Sequence, residues 1–189
     1  MKELQTRDIV LVGLFAALTA VGAFIKIPLP YVPITLQVFF VLMAGLILGS
    51  KLGALSQIVY LTIGLIGIPI FAEGGGPGYV FHPSFGYLVG FIAAAWVMGK
   101  IVPGDKIPTR LQVLYSSAAA LAVIYLFGIP YLYLALNHFV GKELAFLTVF
   151  KIGMSYLPGD AIKIAILTLT GPAIVRGVRS NLREETTCR

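Results

Sequence analysis

The chain has 189 residues, of which 58% are hydrophobic and only 12% are charged, and its formal net charge is +6. A soluble domain usually carries about 25% charged residues, so this composition excludes an ordinary soluble protein. The positive charges lie at the ends of apolar segments, where membrane topology and anionic lipid account for them, and they do not indicate a nucleic-acid partner.

Five long runs of the chain contain no charged residue, and each can supply a membrane-crossing helix of roughly 17–25 mostly apolar residues. These runs are residues 9–25, 27–50, 52–72, 74–99 and 111–141. We therefore predict an all-α integral membrane protein, with residues 1–189 in one domain. The first run follows Lys2 and Arg7 as a signal peptide would, but it is longer than a usual signal sequence and further apolar segments follow it.

Six membrane helices are predicted in chain order. They are Asp8–Ile27, Ile34–Leu48, Leu52–Ile68, Pro83–Val102, Arg110–Leu136 and Leu157–Val175. Before the sixth helix, the stretch "KELAFLTVFKIGMSY" is predicted to lie partly at the membrane interface or to lead into that helix.

The distribution of lysine and arginine predicts that both termini lie in the cytoplasm. With that orientation ten of the fourteen basic residues are cytoplasmic: Lys2, Arg7, Lys51, Lys100, Lys106, Arg110, Arg176, Arg179, Arg183 and Arg189. The other four are Lys26, Lys142, Lys151 and Lys163. This bias follows the positive-inside rule and requires an even number of crossings.

This orientation places three unusual loops together on the outer face. They read "IPLPYVPIT", "PIFAEGGGPGYVFHP" and "LNHFVGKE". The second is long for a connection in a compact bundle. Its glycines allow the backbone to approach a ligand closely, and its aromatic rings can stack on one. We expect Glu73 and His82 in it to be exposed rather than metal-binding.

Apart from Asp8, the first residue of the first predicted helix, Asp160 is the one acidic residue in a predicted membrane helix, and Lys163 follows three positions later on the same helix face. A structural ion pair is one explanation, with Asp160 in the first turn after Pro158 and Lys163 extending its stem toward the interface. An ionisable group inside the membrane is costly and usually functional, which favours a polar ligand site.

Small residues recur four positions apart in the first helix, at Gly13 and Ala17 and at Ala16 and Ala20. Such spacing allows another helix to approach closely, either within the bundle or from a partner subunit, and the sequence leaves both open. No phosphate-binding loop or hydrolase motif occurs. We expect neither an enzyme nor a cofactor, and Cys188 offers no intramolecular disulfide.

Three motifs in the same order resemble the BioY family, the biotin-specific substrate-binding subunits of energy-coupling factor (ECF) transporters. They are "PLPYVPITLQVF", "GGGPGYVFHPSFGYLVGF" and "PGDAIK", and the resemblance covers essentially the whole chain. It implies six membrane helices with both termini inside, and a multi-pass protein of the prokaryotic plasma membrane.

The resemblance also implies a set of functional residues. Asp160 and Lys163 match the pair that contacts the polar groups of biotin. The other implied ligand contacts are Gly76, Gly78, Tyr79, Tyr87, Thr35 and Gln37. The face formed by Gly13, Ala16, Ala17 and Ala20 resembles the surface that docks on the transmembrane coupling subunit, and two ATPase subunits complete the expected partners.

Alternative functions follow from the same residues. An ECF substrate-binding subunit for another vitamin would share the fold and the small-residue face. A small membrane-embedded enzyme would use Asp160, although no second acid lies near it in the sequence. A purely structural assembly subunit would have no ligand of its own.

Overall fold

The computed structural model describes residues 5–102 and 107–187, with side chains described as far as residue 178. Helices make up nearly all of this part of the chain. They are α1 Thr6–Phe24, α2 Gln37–Leu65, a 3₁₀ helix Pro77–Phe81, α3 Phe85–Ile101, α4 Arg110–Leu134, a π-helical turn Ala135–Phe139, α5 Phe146–Met154 and α6 Leu157–Thr187. Two short antiparallel strands, β1 Lys26–Ile27 and β2 Ile34–Thr35, connect α1 to α2.

Helix α2 consists of two helical arms that reverse direction at Gly49. The backbone there has φ 79° and ψ −178°, a conformation that glycine adopts without steric cost. In a straight helix Gln37 and Tyr60 would be roughly 34 Å apart, yet Nε2 of Gln37 lies 2.6 Å from the hydroxyl of Tyr60. Residues 37–48 and 50–65 therefore form a tight helical hairpin, which corresponds to the second and third predicted segments.

The helices pack side by side around one apolar core. Helix α3 lies between α2 and α4, α1 packs on α2, and α6 packs on both α4 and α2. Fully buried side chains such as Leu42, Met98 and Ile124 fill the space between them. Large apolar side chains also cover the outer surface, among them Ile9, Leu126 and Leu169, as expected where lipid rather than water is the solvent.

Four helical stretches in the described part of the chain are long and apolar enough to cross a membrane. They are Thr6–Phe24, Gln37–Leu65, Arg110–Phe139 and Phe146–Val178. Helix α3 is also apolar but has 17 residues. The structure thus confirms an all-helical membrane protein.

Two predicted segments end earlier than expected. The first helix stops at Phe24, because residues 26–27 leave the helix and pair with β2. The third stops at Leu65, and Gly67 with φ 116° carries the chain out of the helical conformation. The sixth continues past Val175 to Thr187. Within the connector between α3 and α4, residues 103–106 lie outside the described residues.

Candidate functional site

One cavity lies among the loops that precede α2 and α3, the start of α2, and helices α3, α4 and α6. The space between protein atoms there is about 550 Å³, a figure that includes open solvent at the cavity entrance. Its lining is Val32, Pro33, Ile34, Thr35, Gln37, Val38, Ala72, Tyr79, Ser84, Tyr87, Leu88, Phe91, Ile124, Tyr125, Tyr156, Asp160 and Lys163. The cavity therefore combines apolar walls with a few convergent polar groups.

Asp160 and Lys163 form a buried ion pair in the cavity wall. Nζ of Lys163 lies 2.7 Å from Oδ1 of Asp160, and the two residues are only 7% and 5% exposed. The hydroxyl of Tyr125 in α4 donates a 2.8 Å hydrogen bond to Oδ2 of Asp160. Because both carboxylate oxygens already accept a hydrogen bond, the side chain is held in one orientation, with lone pairs left for a ligand.

Three tyrosines surround this pair. The Tyr87 and Tyr125 rings meet edge to face with centroids 6.0 Å apart. The Tyr87 hydroxyl is buried and has no hydrogen-bond partner among the described residues. Tyr156, just before α6, donates a hydrogen bond to the carbonyl of Pro30 and so ties the loop between α1 and α2 to this wall. A buried polar atom without a partner is costly, so Tyr87 is available to a ligand.

Thr35 and Gln37 line the cavity but are engaged in a network of their own. The Thr35 hydroxyl donates to Oε1 of Gln37 at 2.9 Å, and Nε2 of Gln37 donates to the Tyr60 hydroxyl at 2.6 Å. Tyr60 in turn donates to the carbonyl of Ile70 at 3.2 Å. These hydrogen bonds join the two arms of α2 to the start of the glycine-rich loop, residues 69–84. They fix that side of the cavity.

The glycine-rich loop presents Tyr79 and Ser84 to the cavity. The Tyr79 hydroxyl lies 3.0 Å from Oγ of Ser84, and Nδ1 of His82 lies 2.8 Å from the same oxygen. Nε2 of His82 lies 3.1 Å from Oε2 of Glu73. Burial raises the pKa of Tyr79, an effect that the Ser84 hydrogen bond partly offsets. The loop therefore presents the neutral hydroxyl of Tyr79 at the cavity wall.

Gly76 and Gly78, which were predicted to contact the ligand, do not line the cavity. The backbone N–H of Gly76 instead donates to the carbonyl of Gly64, and Gly76 with φ 102° precedes the 3₁₀ helix that carries Tyr79. These glycines support the loop. The other predicted contacts, Thr35, Gln37, Tyr79, Tyr87, Asp160 and Lys163, all line the cavity.

The cavity also includes three polar residues that were not among the predicted contacts, namely Ser84, Tyr125 and Tyr156. The sequence could have indicated a polar contact at Tyr125, because a tyrosine in the middle of a long apolar helix usually needs a hydrogen-bond partner for its hydroxyl. Nothing in the sequence indicates that this partner is Asp160, 35 residues away.

The small residues of α1 divide between two faces. Gly13 and Ala17 are exposed, and a Cβ atom at Gly13 would meet nothing within 4 Å. Ala16 is 5% exposed and belongs to the core, and Ala20 packs against it. One pair therefore faces outward from the bundle, and the other packs inside it.

Comparisons with known proteins identify relatives of this chain. The model of the BioY family matches residues 1–180. A probable biotin transporter BioY of Lysinibacillus sphaericus is 47% identical over 153 residues, which cover 81% of this chain and 78% of the relative. The biotin transporter BioY of Rhizobium etli is 35% identical over 185 residues, which cover 92% of this chain and 96% of the relative.

A solved structure has the same fold. The crystal structure of the S-component for biotin from an ECF-type ABC transporter superposes with a TM-score of 0.65 at 26% sequence identity. The match covers 94% of this chain and 95% of that one.

Proposed function

This chain belongs to the BioY family, and we propose from its relatives and its cavity that it is the biotin-capturing subunit of an ECF-type vitamin transporter. It is a multi-pass protein of a prokaryotic membrane. The single observation that carries the ligand assignment is the buried Asp160–Lys163 pair, which Tyr125 holds in place at the wall of this largely apolar cavity.

The chemistry of this pair matches the ureido ring of biotin. A ureido group offers two N–H donors and one carbonyl acceptor, so Asp160 can accept from the ring and Lys163 can donate to its oxygen. Hydrogen bonds that involve charged groups are roughly twice as strong as neutral ones. The apolar walls, including Phe91 and Leu88, suit the thioether ring and the alkyl chain.

The remaining lining residues have distinct roles in this proposal. Tyr87 supplies a hydroxyl that a bound ligand satisfies, and Tyr79 provides an aromatic wall. Thr35 and Gln37 shape the cavity through their bonds to each other and to Tyr60. Gly76 and Gly78 act indirectly, by carrying the loop that positions Tyr79.

We further propose six membrane crossings with both termini in the cytoplasm. The reversal at Gly49 divides α2 into two crossings, and the distribution of basic residues favours an inner position for Lys51. Single-cysteine variants at Glu143 and Lys51, made in a Cys188→Ser background, test this orientation. In intact cells a membrane-impermeant maleimide should label position 143 and not position 51, and the opposite labelling would reverse the topology.

We propose that inward passage of biotin draws energy from other chains. We propose a transmembrane coupling subunit and two ATPase subunits as partners, with Gly13 and Ala17 on the outward face of α1 as the contact. The position of Ala16 in the core supports a packing role for it within the bundle.

Thermal unfolding in the presence of different vitamins tests the proposed ligand. Biotin should raise the melting temperature of the purified protein, because a ligand that binds only the folded state stabilises it. Riboflavin and thiamine should leave it unchanged. A shift with either of these and none with biotin would instead indicate a subunit for another vitamin.

A further inference from the structure

The cavity has no net charge to offer an anionic ligand. Its two charged lining residues, Asp160 and Lys163, neutralise each other at 2.7 Å. If the proposed function holds, the ligand carries a carboxylate at the end of its alkyl chain, remote from the ureido ring. A carboxylate without a counter-charge or full hydration is unfavourable, so the structure should provide a cation near the mouth.

Two independent observations place Lys26 next to residues that line the cavity. In the β1–β2 ladder its Cα pairs with that of Thr35, which lines the cavity. Residues directly opposite in an antiparallel pair project their side chains on the same face, about 5 Å apart. The ammonium of Lys26 also donates a hydrogen bond to the backbone carbonyl of Ala72, and Ala72 lines the cavity as well.

Within the described residues, no carboxylate neutralises the charge of Lys26. None of the described side chains places a carboxylate within 4 Å of the Lys26 ammonium. The ammonium donates instead to a neutral backbone carbonyl, that of Ala72. Glu73, next to Ala72 in sequence, directs its carboxylate to Nε2 of His82. An ammonium has three donors, so Lys26 can keep the Ala72 bond and still contact an anion.

We propose that Lys26 is the cation that meets the ligand carboxylate at the outer rim of the cavity, and this inference rests on the proposed function. The ureido end is then held deep at Asp160 and the carboxylate end at β1. Lys26 would thereby distinguish the free acid from neutral derivatives of the same ligand. Its bond to Ala72 would also join the first outer loop to the glycine-rich loop over the bound molecule.

A comparison of biotin with biotin methyl ester tests this role, because the ester keeps the ring system and lacks the charge. For an exposed ion pair, Lys26→Met should weaken biotin binding by about 5-fold relative to the ester. Lys26→Arg should keep most of the preference for the acid. Lys142→Met is the matched control, since it removes an exposed lysine from the proposed outer side and should leave the ratio of affinities unchanged.

Each outcome of calorimetric titration has one meaning. A loss of affinity confined to biotin, restored by arginine, supports the proposal. An equal loss for acid and ester would mean that Lys26 only supports the loops, and an unchanged affinity for both would mean that it makes no contact; either result overturns the proposal. If the unaltered protein binds neither compound, the proposed function itself fails.

Discussion

Tyr125 in α4 donates a 2.8 Å hydrogen bond to Oδ2 of Asp160 in α6, so the acid of the candidate site is oriented by a different helix from its own. Lys163 holds the other oxygen from one turn further along α6. A carboxylate fixed in this way loses little conformational freedom when a ligand binds, which favours affinity.

Replacing Tyr125 with phenylalanine removes this bond and little else. We expect Tyr125→Phe to weaken biotin binding by up to about 1.5–3 kcal/mol, the range for a hydrogen bond to a charged group. Calorimetry on the purified variant measures the change. Tyr115→Phe is the control, because Tyr115 lies on the same helix with 65% of its surface exposed. Equal affinities for both variants would show that Asp160 needs no support from α4.

Removal of the charge of Asp160 tests the ion pair itself. Asp160→Asn should weaken biotin binding by at least roughly 2 kcal/mol, because a charge-assisted bond is lost at a buried site. The unpaired Lys163 should also lower the stability of the protein. Calorimetry and thermal unfolding separate the two effects. Glu143→Gln, which changes an exposed acid in the loop between α4 and α5, should change neither quantity.

Unchanged affinity of Asp160→Asn for biotin would mean that the ion pair is structural. The double variant Asp160→Asn with Lys163→Met separates a loss of stability from a loss of ligand contact. It should regain much of the stability, since it no longer buries an unpaired charge, and should still bind biotin weakly.

Tyr60 links the two arms of α2 to the glycine-rich loop. Tyr60→Phe leaves Nε2 of Gln37 without its acceptor and the carbonyl of Ile70 without its donor. A buried group left unsatisfied costs about 1–3 kcal/mol, so the melting temperature should fall clearly. Tyr115→Phe again provides the exposed control. A melting temperature equal to that of the control would contradict a supporting role for this network.

Gly64 makes room for the ring that supports Tyr79. A Cβ atom there would lie 2.1 Å from Cζ of Phe71, which is fully buried and packs on the rings of Tyr60 and Tyr79. Alanine is the better helix former, so propensity alone would stabilise the variant. We nevertheless expect Gly64→Ala to lose about 1–3 kcal/mol through overpacking, seen as a lower melting temperature and weaker biotin binding.

Gly13→Ala is the control for that substitution, because nothing lies within 4 Å of the added atom. It should leave the melting temperature unchanged or slightly higher. A comparable decrease in both variants would mean that helical glycines are needed for a reason other than the contact with Phe71.

The outward face of α1 is the proposed contact with the coupling subunit. Gly13→Leu should reduce co-purification with a coupling subunit while biotin binding by the isolated chain stays intact, because position 13 faces away from the cavity and the core. Val10→Leu on the same exposed side preserves shape and should assemble normally. Full assembly of Gly13→Leu would place the contact elsewhere.

The sequence allowed the helical segments to be predicted because charges interrupt the apolar runs at their ends. The turn near Gly49 follows from "GSKLG", and the start of the sixth segment at Leu157 agrees with α6. The short strands were missed, since two residues of ladder carry no periodic signal. The helices predicted to end at Ile27 and Ile68 end earlier in the structure, at Phe24 and Leu65. Local backbone geometry, rather than hydropathy, ends them.

The site was predictable where an unusual residue was present. Asp160 and Lys163 are conspicuous because charges are rare inside membrane helices. Gly76 and Gly78 do not line the cavity, and composition does not reveal whether a glycine approaches a ligand or another backbone segment. The partner of Tyr125 depends on how helices α4 and α6 pack, which a single sequence does not encode in any local pattern.

Calorimetric titration of the purified protein with biotin tests the central claim most directly. We predict heat of binding that saturates at about one biotin per chain, together with a marked loss of affinity in Asp160→Asn measured under the same conditions. The absence of both heat and thermal stabilisation at micromolar biotin, in a protein that is folded by its melting curve, would contradict the account.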